Sequence, residues 1–466
     1  MSFPVDVVIM AAGKGTRMKS KTPKVLQRLA GRALSAHVIA CAQSLGARQA
    51  VVITGHGAEQ VEAALGPLAS GQLALDFVRQ EPQLGTGHAV QQAMPRLADD
   101  GVTLVLSGDV PLTRPETLAA LLQVCRDQHL ALLTLEMQDP SGYGRIVRDA
   151  TGDVQAIVEH KDASDEQHRI TEIYSGIMAV PTRLLRGWLA RLDNRNAQNE
   201  YYLTDVVKFA VADGTRVLAH RISDAVQVAG VNSPAQLAEL ERAFQRRQAD
   251  ELMTAGVRLA DPARFDLRGT LACGQDVEID VNCVFEGRVE LGDDVRIGAN
   301  CVIANARIAD GAVIHPFTHI DGEKLGASVG AGSLVGPFAR LRPGAELGRE
   351  VHIGNFVEVK NSTLADGAKA NHLAYLGDAT VGERVNYGAG SITANYDGAN
   401  KHRTVIEADV HIGSNCVLVA PVTIGAGGTV GGGSTVTKST PAGALTVARG
   451  KQFSLADWKR PSKQKG

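Results

Sequence analysis

The chain has 466 residues, 44% hydrophobic and 21% charged, with a formal net charge of −2. It is too long for one ordinary core and too apolar for a disordered segment, and it lacks the positive excess of a nucleic-acid or anionic-membrane binder. The six cysteines (Cys41, Cys125, Cys273, Cys283, Cys301, Cys416) form no C-x-x-C pair and have no histidine at zinc spacing, so reduced, buried thiols are expected. No apolar run is long enough to span a bilayer and the opening residues lack a signal-peptide pattern. No membrane association is expected, and a cytoplasmic location follows by elimination.

In the first half, β-rich runs alternate with helical patterns. Val5–Met10 reads as a buried strand, Leu34–Leu45 as a helix, and Val51–Thr54 and Val102–Leu106 as further strands. Such alternation predicts an α/β domain whose sheet is covered by helices, with ligands beyond the carboxyl ends of the strands. The loops after Met10 and after Leu106 lie at such ends. Leu237, Leu240, Phe244 and Leu252 give an apolar stripe to a connecting helix. The expected organisation is a domain over 1–233, a linker helix over 234–254 and a second domain over 255–466.

The second half is Gly-rich and has a period of six. Leu291, Ile297 and Ile303 open the pattern; Val329, Val335, Leu341, Leu347, Ile353 and Val359 continue it; Ile412, Leu418, Ile424, Val430 and Val436 close it. This hexapeptide period predicts an all-β, left-handed parallel β-helix with the aliphatic residues pointing inward. The hexads break around Thr318–Ala327 and over Tyr396–His402, where loops should leave the coil.

The loop after the first strand reads Ala11-Ala12-Gly13-Lys14-Gly15-Thr16-Arg17-Met18, with Pro23-Lys24 beyond. It has neither P-loop spacing nor the third glycine of a dinucleotide fingerprint, where Met18 stands. Its glycines still let main-chain N–H groups approach an anion, and Arg17 and Lys24 add charge for a phosphoryl transition state. Leu84-Gly85-Thr86-Gly87-His88-Ala89 is a second glycine turn. Ser107-Gly108-Asp109-Val110-Pro111-Leu112 puts a carboxylate just past a strand, which suits Mg²⁺ shared with substrate phosphates. In the second half, His372 lies in Lys369–Asp378, and Arg342, Lys360, Asn386 and Asn395-Tyr396 are the nearby polar groups. Histidine can take a proton from an amine that attacks a thioester.

These three N-terminal motifs resemble the sugar-phosphate nucleotidyltransferases, whose fold is a Rossmann-like mixed sheet. Joined to the hexapeptide half, nearly the whole chain resembles the bacterial bifunctional N-acetylglucosamine-1-phosphate uridyltransferase / glucosamine-1-phosphate N-acetyltransferase family. The resemblance implies that Ala11, Ala12, Gly13 and Lys24 hold UTP, that Gln80, Gly85 and Thr86 read uracil, and that Asp109 and Asn232 hold Mg²⁺. It implies sugar-nucleotide contacts at Gly144, Glu159, Tyr174 and Asn232, and catalytic roles for Arg17 and Lys24. Tyr174 departs from the family, which has asparagine there. In the second half it implies His372 as general base, an acceptor site of Arg342, Lys360, Tyr375 and Asn386, and an acetyl-CoA site of Ala389, Asn395, Tyr396, Ser414, Gly432 and Arg449. Relatives usually carry alanine at 432. The implied product is UDP-N-acetylglucosamine, a precursor of peptidoglycan and lipopolysaccharide, and the implied assembly a homotrimer. Two other readings compete with it: a nucleotidyltransferase whose coil only oligomerises or regulates, and a non-enzymatic sugar-nucleotide sensor or scaffold.

Overall fold

The computed structural model describes residues 3–69, 73–126, 128–461 and 463. The chain divides into two compact units, Met1–Phe244 and Gln245–Gly466.

In the first unit the strand order is Val217–Ile222, Leu130–Glu136, Glu172–Pro181, Val102–Ser107, Val5–Met10, Gln49–Thr54, Ala74–Arg79. Glu172–Pro181 runs antiparallel to both neighbours and the remaining pairs are parallel. The sheet is therefore mixed, as the family resemblance implies and as simple strand–helix alternation does not. A hairpin of Arg145–Arg148 and Val154–Val158 pairs with Glu172–Pro181 at Arg145. In the first strand, Val5, Val7 and Ile9 join one buried cluster and Val8 another, so alternate side chains feed cores on both faces. From this central strand the chain first turns to Gln49–Thr54 on one side and later returns to Val102–Ser107 on the other. That reversal opens a crevice at the carboxyl ends, beyond Met10, Thr54 and Ser107.

The helix Pro234–Thr254 runs through the division between the units. Leu237, Leu240 and Phe244 pack in a cluster of the first unit, and Ala249 and Leu252 in the core of the second. Gln245 is buried; its amide donates to Leu267 O at 2.9 Å and accepts from Leu267 N at 2.7 Å.

The second unit is the left-handed β-helix. An 11-stranded sheet of short strands makes one face, and a 16-stranded sheet makes the other two. The sheets wrap because Phe265–Cys273, Cys283–Leu291 and Val302–Ile308 turn a corner without breaking. Parallel pairing aligns Val335 with Ile353 and Leu341 with Val359, one coil of three hexads apart. Every hexad residue named above is buried. The interruption near Thr318 is shorter than expected, because His319–Asp321 continues the coil and only the segment around Gly322–Gly326 leaves it. At Tyr396 the chain leaves in a hairpin closed by a Tyr396–Lys401 bridge. One corner of the coil takes left-handed backbone on each turn: Asn282, Asn300, Phe317, Phe338, Phe356, Leu373, then Gly390, Asn415 and Gly433. Asparagine and glycine tolerate that conformation, whereas phenylalanine pays for it. The three phenylalanines are exposed and stacked, with centroids 5.0 and 5.3 Å apart. Among the described residues, no helix is long and apolar enough to cross a membrane.

Candidate active sites

A cleft of about 850 Å³ lies at the strand carboxyl ends of the first unit. Ala11, Ala12, Gly13, Lys24, Gln80, Gly85, Thr86 and Asp109 all line it, so the three motifs meet in one place. The loop after Met10 is held by Ala11 N to Ile53 O at 2.9 Å and by Gln83 Nε2 to Ala12 O at 2.6 Å. Gly15 has φ 57°, and a Cβ there would stand 2.7 Å from Lys24 Cβ, so this glycine lets Lys24 pass beneath the loop. Gly85 has φ 111° and lies against the Tyr201 main chain, where a Cβ would meet O at 2.7 Å and N at 2.8 Å.

The half-buried Lys24 ammonium sits between Asp109 Oδ2, at 2.5 Å, and Asn232 Oδ1, at 3.2 Å. The two oxygens expected to hold a metal thus converge on one cation. Among the described residues there is no group of three or more His, Cys, Asp and Glu that could make a full protein cage. One carboxylate and one amide oxygen at the edge of a phosphate-sized cleft fit a hard divalent ion that takes its remaining ligands from substrate and water. Arg17 is exposed on the turn Thr16–Met18 and is not among the residues lining the cleft.

Gly144, Glu159 and Tyr174 form a second cluster on the hairpin and its partner strand. Tyr174 N donates to Gly144 O at 2.9 Å, and a Cβ at Gly144 would stand 3.8 Å from Glu159 Oε2. Burial raises the Glu159 carboxyl above the ordinary glutamate value, although Thr204 Oγ1 donates to it at 3.0 Å. Tyr174 is buried, and its Oη, itself shut off from solvent, has no hydrogen-bond partner among the described residues. Burial, and then the charge of Glu159, pushes the phenol well above its ordinary range, so it stays a neutral donor.

On the coil, His372 Nδ1 lies 2.9 Å from Asn355 Oδ1, one turn below. An amide oxygen only accepts, so Nδ1 carries the ring proton and Nε2 is left with its lone pair. Asn355, His372, Ala389, Ser414 and Gly432 each precede a left-handed corner residue on successive coils, and main-chain bonds stack them: Leu373 N to Asn355 O, Gly390 N to His372 O, Asn415 N to Ala389 O, Gly433 N to Ser414 O. The proposed base and three expected acetyl-CoA contacts therefore share one edge. Arg449 joins them by donating to Gly432 O at 2.6 Å. Glycine at 432 fits there, since a Cβ would come 3.3 Å from Ser414 O.

Arg342, Lys360 and Tyr375 lie on strands of the 16-stranded sheet or at their ends. Arg342 pairs with Glu358 at 2.9 Å. The hairpin brings Lys401 back beside Lys360; a hydrogen bond from Lys401, then burial, then the like charges of Lys401 and Arg342 hold the Lys360 amine below the ordinary lysine range. Asn395 and Asn361 each donate to the buried Asp378 at 2.5 Å, which fixes the point where the hairpin leaves the coil. Tyr396 Oη donates to Gly398 O at 2.6 Å. Asn386 stands apart, exposed on the 11-stranded sheet between Lys369 and His411. Asn355, Asp378 and Lys401 carry parts of this site that the sequence reading did not single out. Asn355 precedes His372 by one coil, so the repeat itself was a signal for it.

Residues 7–170 match the family of MobA-like NTP transferase domains. Residues 273–305 and 403–438 match the bacterial transferase hexapeptide repeats. Fold, clefts and matches together define an enzyme with a nucleotidyltransferase unit and a hexapeptide acyltransferase unit. The chain is 78% identical to Bifunctional protein GlmU of Polaromonas sp. strain JS666 and 73% identical to that of Acidovorax ebreus, over 99% of both chains in each case. It is 57% identical to that of Azoarcus sp. strain BH72, over 99% of this chain and all of the relative. The chain belongs to the family of bifunctional GlmU proteins.

Proposed function

We propose that the chain makes UDP-N-acetylglucosamine in two steps at two independent centres, acetylating glucosamine 1-phosphate on the coil and uridylylating the product in the α/β unit. One observation carries this reading: each unit gathers its own reactive cluster, Lys24–Asp109–Asn232 in the cleft and Asn355–His372 on the coil edge.

On the coil, His372 Nε2 accepts a proton from the 2-amino group as the nitrogen attacks the thioester carbonyl of acetyl-CoA. The C–N bond forms, the C–S bond breaks and coenzyme A leaves as the thiol. Asn355 holds the ring in the tautomer this requires. Arg342 and Lys360 bind the acceptor phosphate, helped by Lys401, with Tyr375 and Asn386 on the sugar. Ala389, Asn395, Tyr396, Ser414, Gly432 and Arg449 bind acetyl-CoA.

In the cleft, a phosphate oxygen of N-acetylglucosamine 1-phosphate attacks the α-phosphorus of UTP in line, and pyrophosphate leaves. The main chain of Ala11, Ala12 and Gly13 cradles the triphosphate, while Arg17 and Lys24 stabilise the charge that builds on it. Gln80, Gly85 and Thr86 contact the base, and Gly144, Glu159, Tyr174 and Asn232 the sugar. Mg²⁺ held by Asp109 and Asn232 would supply charge neutralisation on the phosphates. With these two oxygens on the ion, Lys24 would be free to turn from Asp109 to the substrate phosphates.

The working form is a homotrimer with acyl-transfer sites between copies, acting in the cytoplasm. Two observations support the assembly: the exposed stack of Phe317, Phe338 and Phe356 runs up the edge to Leu373 beside His372, and Asn386 is on a different sheet from Arg342 and Lys360. The test is a pair of variants. Asp109→Ala should lose uridylyl transfer and keep acetyl transfer, and His372→Ala should do the reverse. Loss of both activities in either folded variant would contradict independent centres.

A further inference from the structure

His88 lies in the glycine-turn motif but has no role in the scheme above. It sits on the helix Thr86–Ala93, and its Nδ1 is 3.3 Å from Gln80 Nε2. Gln80 is almost fully buried in the cleft wall, and the same Nε2 donates to Gly85 O at 2.9 Å. A main-chain carbonyl only accepts, so the atom in this corner is the amide nitrogen. Its second hydrogen is then directed to His88 Nδ1, which must be the unprotonated ring nitrogen. Oε1 of Gln80 accepts nothing from the described residues, yet it is not a buried orphan. It is therefore the amide atom shown to the cleft. The ring proton of His88 then falls on Nε2, which faces the half-exposed Gln92 amide: Gln92 Nε2 lies 3.1 Å from His88 Nε2 and 3.2 Å from His88 O, and this amide must give up its bond to His88 O to turn its oxygen to the ring proton. Tyr201, whose main chain braces Gly85, also flanks the His88 ring at a centroid distance of 6.3 Å.

Uracil presents N3–H as a donor, and cytosine presents N3 as an acceptor beside an amino group. An amide locked with its oxygen outward pairs with the first and repels the second. The inverted amide would do the opposite. We propose that His88 is a specificity-determining positioning residue: by accepting from Gln80 Nε2 it joins Gly85 O in holding Oε1 toward the nucleotide, so the enzyme takes UTP and rejects CTP. The inference rests on the reading that Gln80 meets the base.

The experiment measures kcat/KM for uridylyl and cytidylyl transfer to N-acetylglucosamine 1-phosphate, using the full chain with UTP or CTP. Variants are His88→Ala, His88→Asn and Gln80→Ala. Alanine at 88 should lower the UTP:CTP ratio by about tenfold or more, because the Gly85 carbonyl alone then holds the amide and one of its two buried hydrogen bonds is lost. Asparagine, whose amide oxygen can stand where Nδ1 does, should restore most of the ratio. The KM for N-acetylglucosamine 1-phosphate should not change. If His88→Ala lowers both rates by the same factor, His88 serves only the fold and the proposal is overturned. It is also overturned if asparagine fails to restore a ratio that alanine has lost. If the ratio survives in both His88→Ala and Gln80→Ala, the base is not read at Gln80 at all. If Gln80→Ala loses it and His88→Ala does not, the reading of Gln80 stands and only the role of His88 falls.

Discussion

Replacing Tyr174 with phenylalanine should stabilise the first unit while weakening its hold on the sugar. The hydroxyl is buried and has no partner among the described residues, with the Glu159 carboxyl as its charged neighbour. An unpaired buried hydroxyl costs about 1–3 kcal/mol, and phenylalanine removes it while keeping the ring that fills the space. For a unit of this size each kcal/mol recovered raises the melting temperature by about 2–4 °C. In the complex the same hydroxyl would donate to the sugar, and losing one such bond, at about 0.5–1.5 kcal/mol, raises KM roughly two- to twelvefold. Calorimetry of the full chain, with the transition of the first unit marked by its shift on adding UTP and Mg²⁺, gives the first quantity. Uridylyl-transfer kinetics at varied N-acetylglucosamine 1-phosphate give the second. A melting temperature that stays put or falls, with an unchanged KM, would refute the argument, because the hydroxyl would then be neither an orphan nor a substrate contact.

Lysine 360 gives a pH test of the acceptor site. Its ammonium is charged below its depressed pKa and loses the proton as pH rises through it, so the KM for glucosamine 1-phosphate should climb at a pH below the ordinary lysine value of 10.5. Lys401→Ala removes the largest cause of the depression and should move that limb upward; an unmoved limb counts against the pairing. Glu159→Gln tests the buried carboxyl. Its folded pKa lies above the unfolded value, so the carboxylate costs stability above the folded pKa and nothing below the unfolded one. The glutamine variant should therefore melt higher than wild type at pH 7, with the gain gone once pH falls below 4.5. An equal gain at both pH values would point to packing rather than ionisation.

The coil was readable because its code is local and repeated. A spacing of six places Val329, Val335 and Leu341 inward whatever the rest of the chain does, and all three are buried. The glycine loops of the cleft were readable for a related reason: Gly15 and Gly85 hold backbone conformations and close approaches that other residues cannot take without strain. The reversed direction of Glu172–Pro181 was not readable from alternation, since a strand buried on both faces has the same apolar pattern whichever way it runs. Nor were the partners that orient the reactive groups. Lys401 reaches Lys360 only because the hairpin folds back. The His88–Gln80 contact requires the turn at Gly85 to place a helix behind the strand end. Such roles depend on tertiary distances, and residue types alone do not carry them.

A coupled assay tests the central claim most directly. The wild-type chain is given glucosamine 1-phosphate, acetyl-CoA, UTP and Mg²⁺, and free thiol and pyrophosphate are followed separately. Two acting centres predict that both appear, with pyrophosphate release dependent on prior thiol release. If no thiol is ever released, and pyrophosphate appears only when N-acetylglucosamine 1-phosphate is supplied, the coil is not an acetyltransferase for this substrate and the two-step account is contradicted.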